Sequence, residues 1–255
     1  MIDTHSHLYD SAFDADRDEV ITACKALNVT KIIAPAVDSE SYDEMNHLAD
    51  KYKGYIFPTM GLHPTSIKQN WKEDIAYTRS LLEKDPDRYV AIGEIGMDLY
   101  WSDAFFKEQC IALQEQVMWS LEFNKPLILH VRKAYDEIFI QLDSFAGKLK
   151  GVFHSFEGEE RDIERINRLG NFYIGVGGVA TYKKRVARLL ATKVPLDKIV
   201  LETDSPYLTP SPLQGQRNST LNLPIIVHRL SEIYSVSEEE IINITTKNSK
   251  DLFTL

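Results

Sequence analysis

Short runs of β-branched and apolar residues recur along the chain, separated by longer stretches whose apolar positions repeat every three or four residues. The runs fall at 1–4, 31–35, 55–60, 89–93, 126–130, 151–154, 171–176 and 198–202. Helical spacing occupies 14–27, 39–51, 72–84, 104–123, 133–144, 159–169 and 183–192. The segment 221–253 reads as two more helices, the second restarted by Ser237 as a cap with Glu240 three residues on. Strand alternating with helix is the pattern of a parallel sheet with crossover helices. Eight such units in 255 residues predict an α/β fold, a (β/α)8 TIM barrel with a C-terminal helical extension. The competing open, doubly wound sheet calls for Gly-x-Gly-x-x-Gly after the first strand or a Walker-type Gly-Lys-Ser/Thr, and neither is present. Gly175, Gly177 and Gly178 come late and read as small residues at a strand end. No Pro/Gly/Ser-rich linker or internal repeat divides the chain, so 1–255 is expected to form a single domain.

Catalytic groups of such barrels sit where strands end, so the residues terminating each run carry the chemistry. The first run ends in His5-Ser6-His7, and the third in Gly61-Leu62-His63-Pro64. The fourth ends in Gly93-Glu94-Ile95-Gly96-Met97-Asp98, the fifth and sixth in His130 and His154, and the eighth in Glu202-Thr203-Asp204-Ser205-Pro206. Alternate strand residues share a face, so His-x-His aims both imidazoles at one spot. Five of the seven histidines fall at strand ends; His47 and His228 lie on helices. Imidazole nitrogen and carboxylate oxygen together suit divalent ions such as Zn2+ or Mn2+, and Mg2+ is accommodated with extra waters. His5, His7, Glu94, His130, His154 and Asp204 make six ligands, more than one catalytic ion takes from protein, so two divalent metal ions are expected. Glu94 is the expected bridge, with His5, His7 and Asp204 on one ion and His130 and His154 on the other. Asp204 is the candidate to accept a proton from an attacking water, and His63 to protonate a leaving group. Glu202 reads equally as a metal-site residue or a structural ion pair.

Composition narrows the partners. The hydrophobic fraction of 44% and charged fraction of 26% are ordinary for a globular protein. Two cysteines, Cys24 and Cys110, supply neither a disulfide framework nor a zinc ribbon and are expected to be buried helix residues. No apolar run is long enough for a membrane span, and the chain enters a strand at once rather than a signal peptide, so a cytoplasmic location is expected, with no membrane and no stable protein partner. A net charge of −9 excludes holding nucleic acid by bulk electrostatics. Two divalent ions would bring about +4 to the barrel mouth, which leaves room for a brief encounter with an anionic group. Arg132, Lys133, Lys183, Lys184, Arg185 and Arg217 are placed near that face, and Tyr100 and Trp101 follow the fourth strand closely, either to stack on a base or to pack the loop.

Taken together and in order, Asp3-Thr4-His5-Ser6-His7-Leu8, Gly61-Leu62-His63-Pro64, Gly93-Glu94-Ile95-Gly96-Met97-Asp98, His130-Val131-Arg132, His154-Ser155-Phe156 and Glu202-Thr203-Asp204-Ser205-Pro206 resemble the motifs of the TatD-type metal-dependent deoxyribonucleases. The segment Asn243-Ile244-Thr245-Thr246-Lys247-Asn248 is similar to that family's ending. The resemblance implies a metal-dependent hydrolase with a two-metal site that cuts DNA phosphodiesters, as a 3'-5' exonuclease on single-stranded DNA. It also implies that Glu94 takes the bridging place held elsewhere in the wider group by a carboxylated lysine, and that His63 lies against the scissile phosphate. One departure stands out: the family's Arg-Asn-Glu-Pro is here Arg217-Asn218-Ser219-Thr220, which puts the role of the missing glutamate in question. The same barrel and ligands would also serve a hydrolase of a small amide, lactone or ester, or of an aminoacyl-tRNA ester. A non-enzymatic metal scaffold fits less well, because nothing structural in such a barrel requires six converging ligands.

Overall fold

A computed structural model describes residues 1–255. Its eight parallel strands are β1 (Ile2–Asp3), β2 (Lys31–Ala34), β3 (Ile56–Pro58), β4 (Ile92–Asp98), β5 (Leu127–Arg132), β6 (Lys150–Phe153), β7 (Asn171–Val176) and β8 (Ile199–Leu201). They pair in sequence order as β1-β2-β3 and β4-β5-β6-β7-β8. Two seams close the ring: Met60 bridges to Ile92, and Ser6 bridges to Ser205. At the second seam Thr4 N donates to Leu201 O, Asp204 N to His5 O, and His7 N to Ser205 O. The strands are thus arranged as the sequence pattern predicts, in a (β/α)8 barrel.

The helices are α1 (Arg17–Ala26), α2 (Tyr42–Lys51), α3 (Trp71–Lys84), α4 (Phe106–Glu122), α5 (Tyr135–Leu142), α6 (Glu160–Leu169), α7 (Val179–Tyr182), α8 (Lys184–Lys193), α9 (Leu223–Tyr234) and α10 (Glu238–Phe253). Helical spacing located each of these except the one-turn α7, which is too short to show a period. Ser237 caps α10 as expected, accepting from Glu240 N at 3.1 Å. Helix α1 starts three residues later than its pattern suggests, because Asp10 caps a separate 3-10 turn at Ser11–Phe13. No helix is long and apolar enough to cross a membrane.

Strand alternation divides the core into two layers. Ile33, Ala91, Ile128, Val152, Tyr173 and Val200 point into the barrel and cluster together. Their neighbours Ile32, Ile92, Leu129, Phe153, Ile174 and Leu201 face outward into the larger apolar layer beneath the helices. Leu252 and Phe253 of α10 join the inner cluster, and Asn248 Nδ2 donates to Leu196 O and to Ile199 O beside the start of β8. Helix α10 therefore plugs the N-terminal end of the barrel and leaves the C-terminal end for chemistry. Cys24 is fully buried, whereas Cys110 is only half-buried on α4, which corrects the expectation of two core cysteines.

Strand β4 is the main departure from the sequence pattern. It runs on to Asp98 instead of ending at Gly93, and its pairing with β5 gains a residue between Ile92 and Ile95. An extra residue in one strand inverts the alternation beyond it. Ile95 and Met97 join the outer layer, so Glu94, Gly96 and Asp98 face the barrel interior. Gly96 is required here: its φ is +146°, and a Cβ would overlap the carbonyl oxygen of His130 on β5.

Candidate metal centre

The interior positions turn polar as each strand reaches the open end. Two residues past Ile128 stands His130, two past Val152 stands His154, and two past Val200 stands Glu202. His5 and His7 follow β1, and Asp204 follows β8 across the seam. The structure brings all six expected ligands and His63 together at this mouth, around Glu94. Glu94 Oε2 lies 3.1 Å from His5 Nε2 and 3.8 Å from His7 Nε2. Its other oxygen, Oε1, lies 2.9 Å from His130 Nδ1, 3.1 Å from His154 Nε2 and 3.4 Å from His63 Nε2. Asp204 Oδ1 is 3.6 Å from His5 Nε2 and 3.5 Å from His7 Nε2. Donor atoms close enough to share an ion come in three sets: His5, His7 and Glu94; His5, His154 and Asp204; His63, Glu94 and His130.

Surrounding hydrogen bonds decide which nitrogen of each ring is free. The Tyr9 hydroxyl gives its proton to Pro35 O at 2.6 Å, so at 2.9 Å from Tyr9 the His7 Nδ1 must be the donor. That leaves the Nε2 lone pair of His7 facing His5, Glu94 and Asp204. His130 Nε2 lies 2.9 Å from Asp98 Oδ2, which fixes a proton there, so Nδ1, 2.9 Å from Glu94 Oε1, is the nitrogen that a cation could share with that carboxylate. His63 differs: its Nδ1 accepts from Thr65 N at 3.2 Å, so its Nε2 carries the proton and faces the site as a donor. His5 Nε2 and His7 Nε2 are 3.2 Å apart, and His5 Nδ1 is buried with no protein partner. Lone pairs and carboxylate oxygens packed this closely, with few protons to place between them, fit divalent cations.

Burial would raise the Glu94 carboxyl, but His154, His5 and His63 outweigh it and hold the group well below the usual carboxylate range. For Asp204 burial is likewise overcome, by His7, His154 and His5, and its carboxyl stays low. Burial, reinforced by His154, lowers His5, and burial also lowers His63. His130 is raised despite burial, by Asp98 and Glu94. His154 rises well above the ordinary range against burial, through Glu94 and Glu202.

Glu202 resolves into a positioning role. Its Oε1 lies 3.5 Å from His154 Nδ1 and accepts from Ser155 N. Gly175 makes room for it, since a Cβ there would overlap the Glu202 carboxylate. The late glycines thus sit at a strand end, as expected, and Gly175 serves the site from one layer below. Asp98 is a site residue to which the sequence pattern assigns no role, although its even spacing from Glu94 and Gly96 on one strand is the signal that reveals it. Asp3, to which the sequence pattern assigns no role, lies under the seam, where it accepts from Thr203 Oγ1 and Thr220 Oγ1, both at 2.7 Å, and from the backbone of His5 and Thr203. Burial pushes its carboxyl up to about 7 despite those donors. Thr220 and Ser219 occupy the departure from the family motif. Ser219 Oγ accepts from Leu221 N at 3.3 Å, and Thr220 ties the loop to Asp3, so both anchor the loop.

The basic residues divide. Lys183 pairs with Glu157, Arg217 pairs with Asp16, and Arg185 donates to the carbonyls of Glu157 and Gly158. These three are thus paired within the protein.

A family model described as TatD related DNase matches residues 2–254. The chain is 30% identical over 257 residues to the uncharacterized metal-dependent hydrolase YabD of Bacillus subtilis (strain 168), covering 100% of this chain and 99% of that protein. It is 29% identical to the 3'-5' ssDNA/RNA exonuclease TatD of Pantoea vagans (strain C9-1), with 100% of both covered. The crystal structure of YjjV, a TatD homologue from Escherichia coli K12, superposes with a TM-score of 0.92 at 32% identity, covering 100% of this chain and 98% of that one. Matched along nearly its whole length by the family model, the chain belongs to the TatD family of metal-dependent hydrolases.

Proposed function

We propose that this protein is a deoxyribonuclease that removes nucleotides from the 3' end of single-stranded DNA with two divalent ions, Mg2+, Mn2+ or Zn2+. The observation that carries the reading is the division of Glu94: one oxygen faces His5 and His7, the other faces His130 and His154. A carboxylate set between two groups of imidazoles is the arrangement a bridging ligand needs. His5, His7, Glu94, His130, His154 and Asp204 would hold the ions. When bound, such ions would neutralise phosphate charge and make water a better nucleophile.

The chain's own groups supply the rest. Asp204, kept ionised by its histidine neighbours, is the acceptor for the proton of the attacking water. His63, neutral through burial and carrying its proton on Nε2, offers a hydrogen bond to a phosphate oxygen or a proton to the departing hydroxyl. Its Nδ1, committed to Thr65, keeps that proton aimed at the site. A name given to one relative, the Pantoea vagans exonuclease, supports the choice of substrate.

The test is a paired assay of metal-loaded protein: 3'-labelled single-stranded DNA in one arm, a panel of lactones, small amides and aminoacyl-tRNA in the other. Shortening of the labelled end that chelator abolishes is the expected result. Intact DNA beside a cleaved lactone or ester would overturn the nuclease reading.

A further inference from the structure

Strands β4 and β5 carry a second feature beyond the ligands. Asp98 and Arg132 are partners in register at their ends, two residues past the pair Gly96 and His130. From there the Arg132 guanidinium lies 3.8 Å over the Tyr100 ring and 5.3 Å from the Trp101 ring, and not against a carboxylate. Tyr100 and Trp101 meet edge to face, their rings 5.0 Å apart. Neither is packed down: Tyr100 is 51% exposed and Trp101 71% exposed. Trp71 and Trp119 are at most 8% exposed, so Trp101 is the one tryptophan that shows a face to solvent. Across the mouth, Tyr207 is also exposed, its ring 6.1 Å from that of His7.

Arg132 covers part of Tyr100, and Trp101 keeps most of its surface open to solvent. The covering of the barrel by this loop, the alternative open from the sequence, does not describe rings that are half or more exposed. A flat π surface next to an unneutralised guanidinium is what a nucleotide needs, a base to stack and a phosphate to pair. A duplex keeps its base faces covered, whereas an unpaired strand offers them.

We infer that Trp101, with Tyr100 and Arg132, forms a platform on which a base of an unpaired strand stacks while Arg132 holds an adjoining phosphate. The inference rests on the nuclease reading and adds what selects the substrate: unstacked bases, with little regard to sequence. These are specificity residues, and no proton or bond changes on them.

The test separates bases from phosphates. Metal-loaded protein is titrated with a phosphorothioate oligothymidylate, which resists cleavage, and with an abasic phosphorothioate of the same length, while tryptophan emission is followed. Quenching by the thymidylate alone, lost in Trp101→Phe, is the expected result. Trp101→Ala is expected to lower kcat/KM on oligothymidylate about tenfold, within the range for a lost base stack, and to leave an ordinary abasic oligomer unchanged. Arg132→Ala is expected to flatten the salt dependence of binding by about one phosphate. Emission from buried Trp71 and Trp119 reports that each variant is folded. Equal quenching by both oligomers, no quenching by either, or equal losses of kcat/KM on both would overturn the platform. DNA cleaved without these effects removes the platform and spares the nuclease reading. Base-dependent quenching without cleavage does the reverse.

Discussion

Asp98 Oδ2 lies 2.9 Å from Nε2 of His130, on the side of the ring away from Glu94. A carboxylate behind a metal-binding imidazole sets its tautomer and aims its lone pair, and losing such a partner commonly weakens metal binding 10- to 100-fold. Asp98→Ala is therefore expected to reduce divalent-ion affinity by about that factor, measured by calorimetric titration. Affinity equal to the parent would show that Asp98 does not position His130.

Glu94 stands between both groups of histidines, so its loss should remove more than one ligand's share of the metal. If the parent holds the two ions proposed above, Glu94→Ala is expected to retain one or none by elemental analysis. Two ions retained by the variant would refute bridging.

Gly175 and Glu202 occupy one space. Gly175→Ala puts a methyl group against the carboxylate beneath His154 and is expected to cost about 1–3 kcal/mol of stability, as overpacking usually does. Glu202→Ala vacates that space, so the double variant should be more stable than the two losses added together. Urea denaturation of the four proteins measures the coupling, and strict additivity would mean the backbone moves aside instead.

Cys24 gives a pH dependence away from the centre. Burial, then the charge of Asp3, pushes its thiol from the ordinary 9.0 up to about 12. In the folded protein the thiol keeps its proton where the unfolded chain has lost it. Its contribution to stability is therefore complete below pH 9 and disappears as pH climbs toward 12. Folded protein at pH 9 should leave Cys24 unmodified by a thiol reagent, and Cys24→Ala should lose less stability between pH 9 and 12 than the parent. Fast labelling of Cys24 in the folded state would contradict this.

The barrel and the polar residues gathered at its mouth were legible in sequence for one physical reason. Strands buried on both faces are almost wholly apolar, so a histidine or carboxylate at a strand end stands out, as His130 does after Leu127–Leu129 and His154 after Gly151–Phe153. What stayed hidden depends on register or on partners distant in sequence. The inserted residue of β4 inverts the alternation, which no local pattern announces, and so Asp98 passed as a residue beyond the strand. Lys183, Arg185 and Arg217 read as a basic face because their partners Glu157 and Asp16 lie far from them along the chain. Glu202 remained ambiguous for the same reason, since only the structure sets it beside Gly175.

The seam between β1 and β8 has a mechanical consequence. His5 and His7 lie on one side of it and Asp204 on the other, nearly two hundred residues apart in sequence, joined edge to edge by Asp204 N to His5 O at 2.8 Å. Ions held by these three side chains would bind the closed ring and not the parted one, and so would add their binding free energy to its closure. The centre would then act as a clasp: stripping the metal would loosen the ring where its two ends meet, so that amide hydrogens of Thr4, His7 and Asp204 exchange faster while those between β5 and β6 do not.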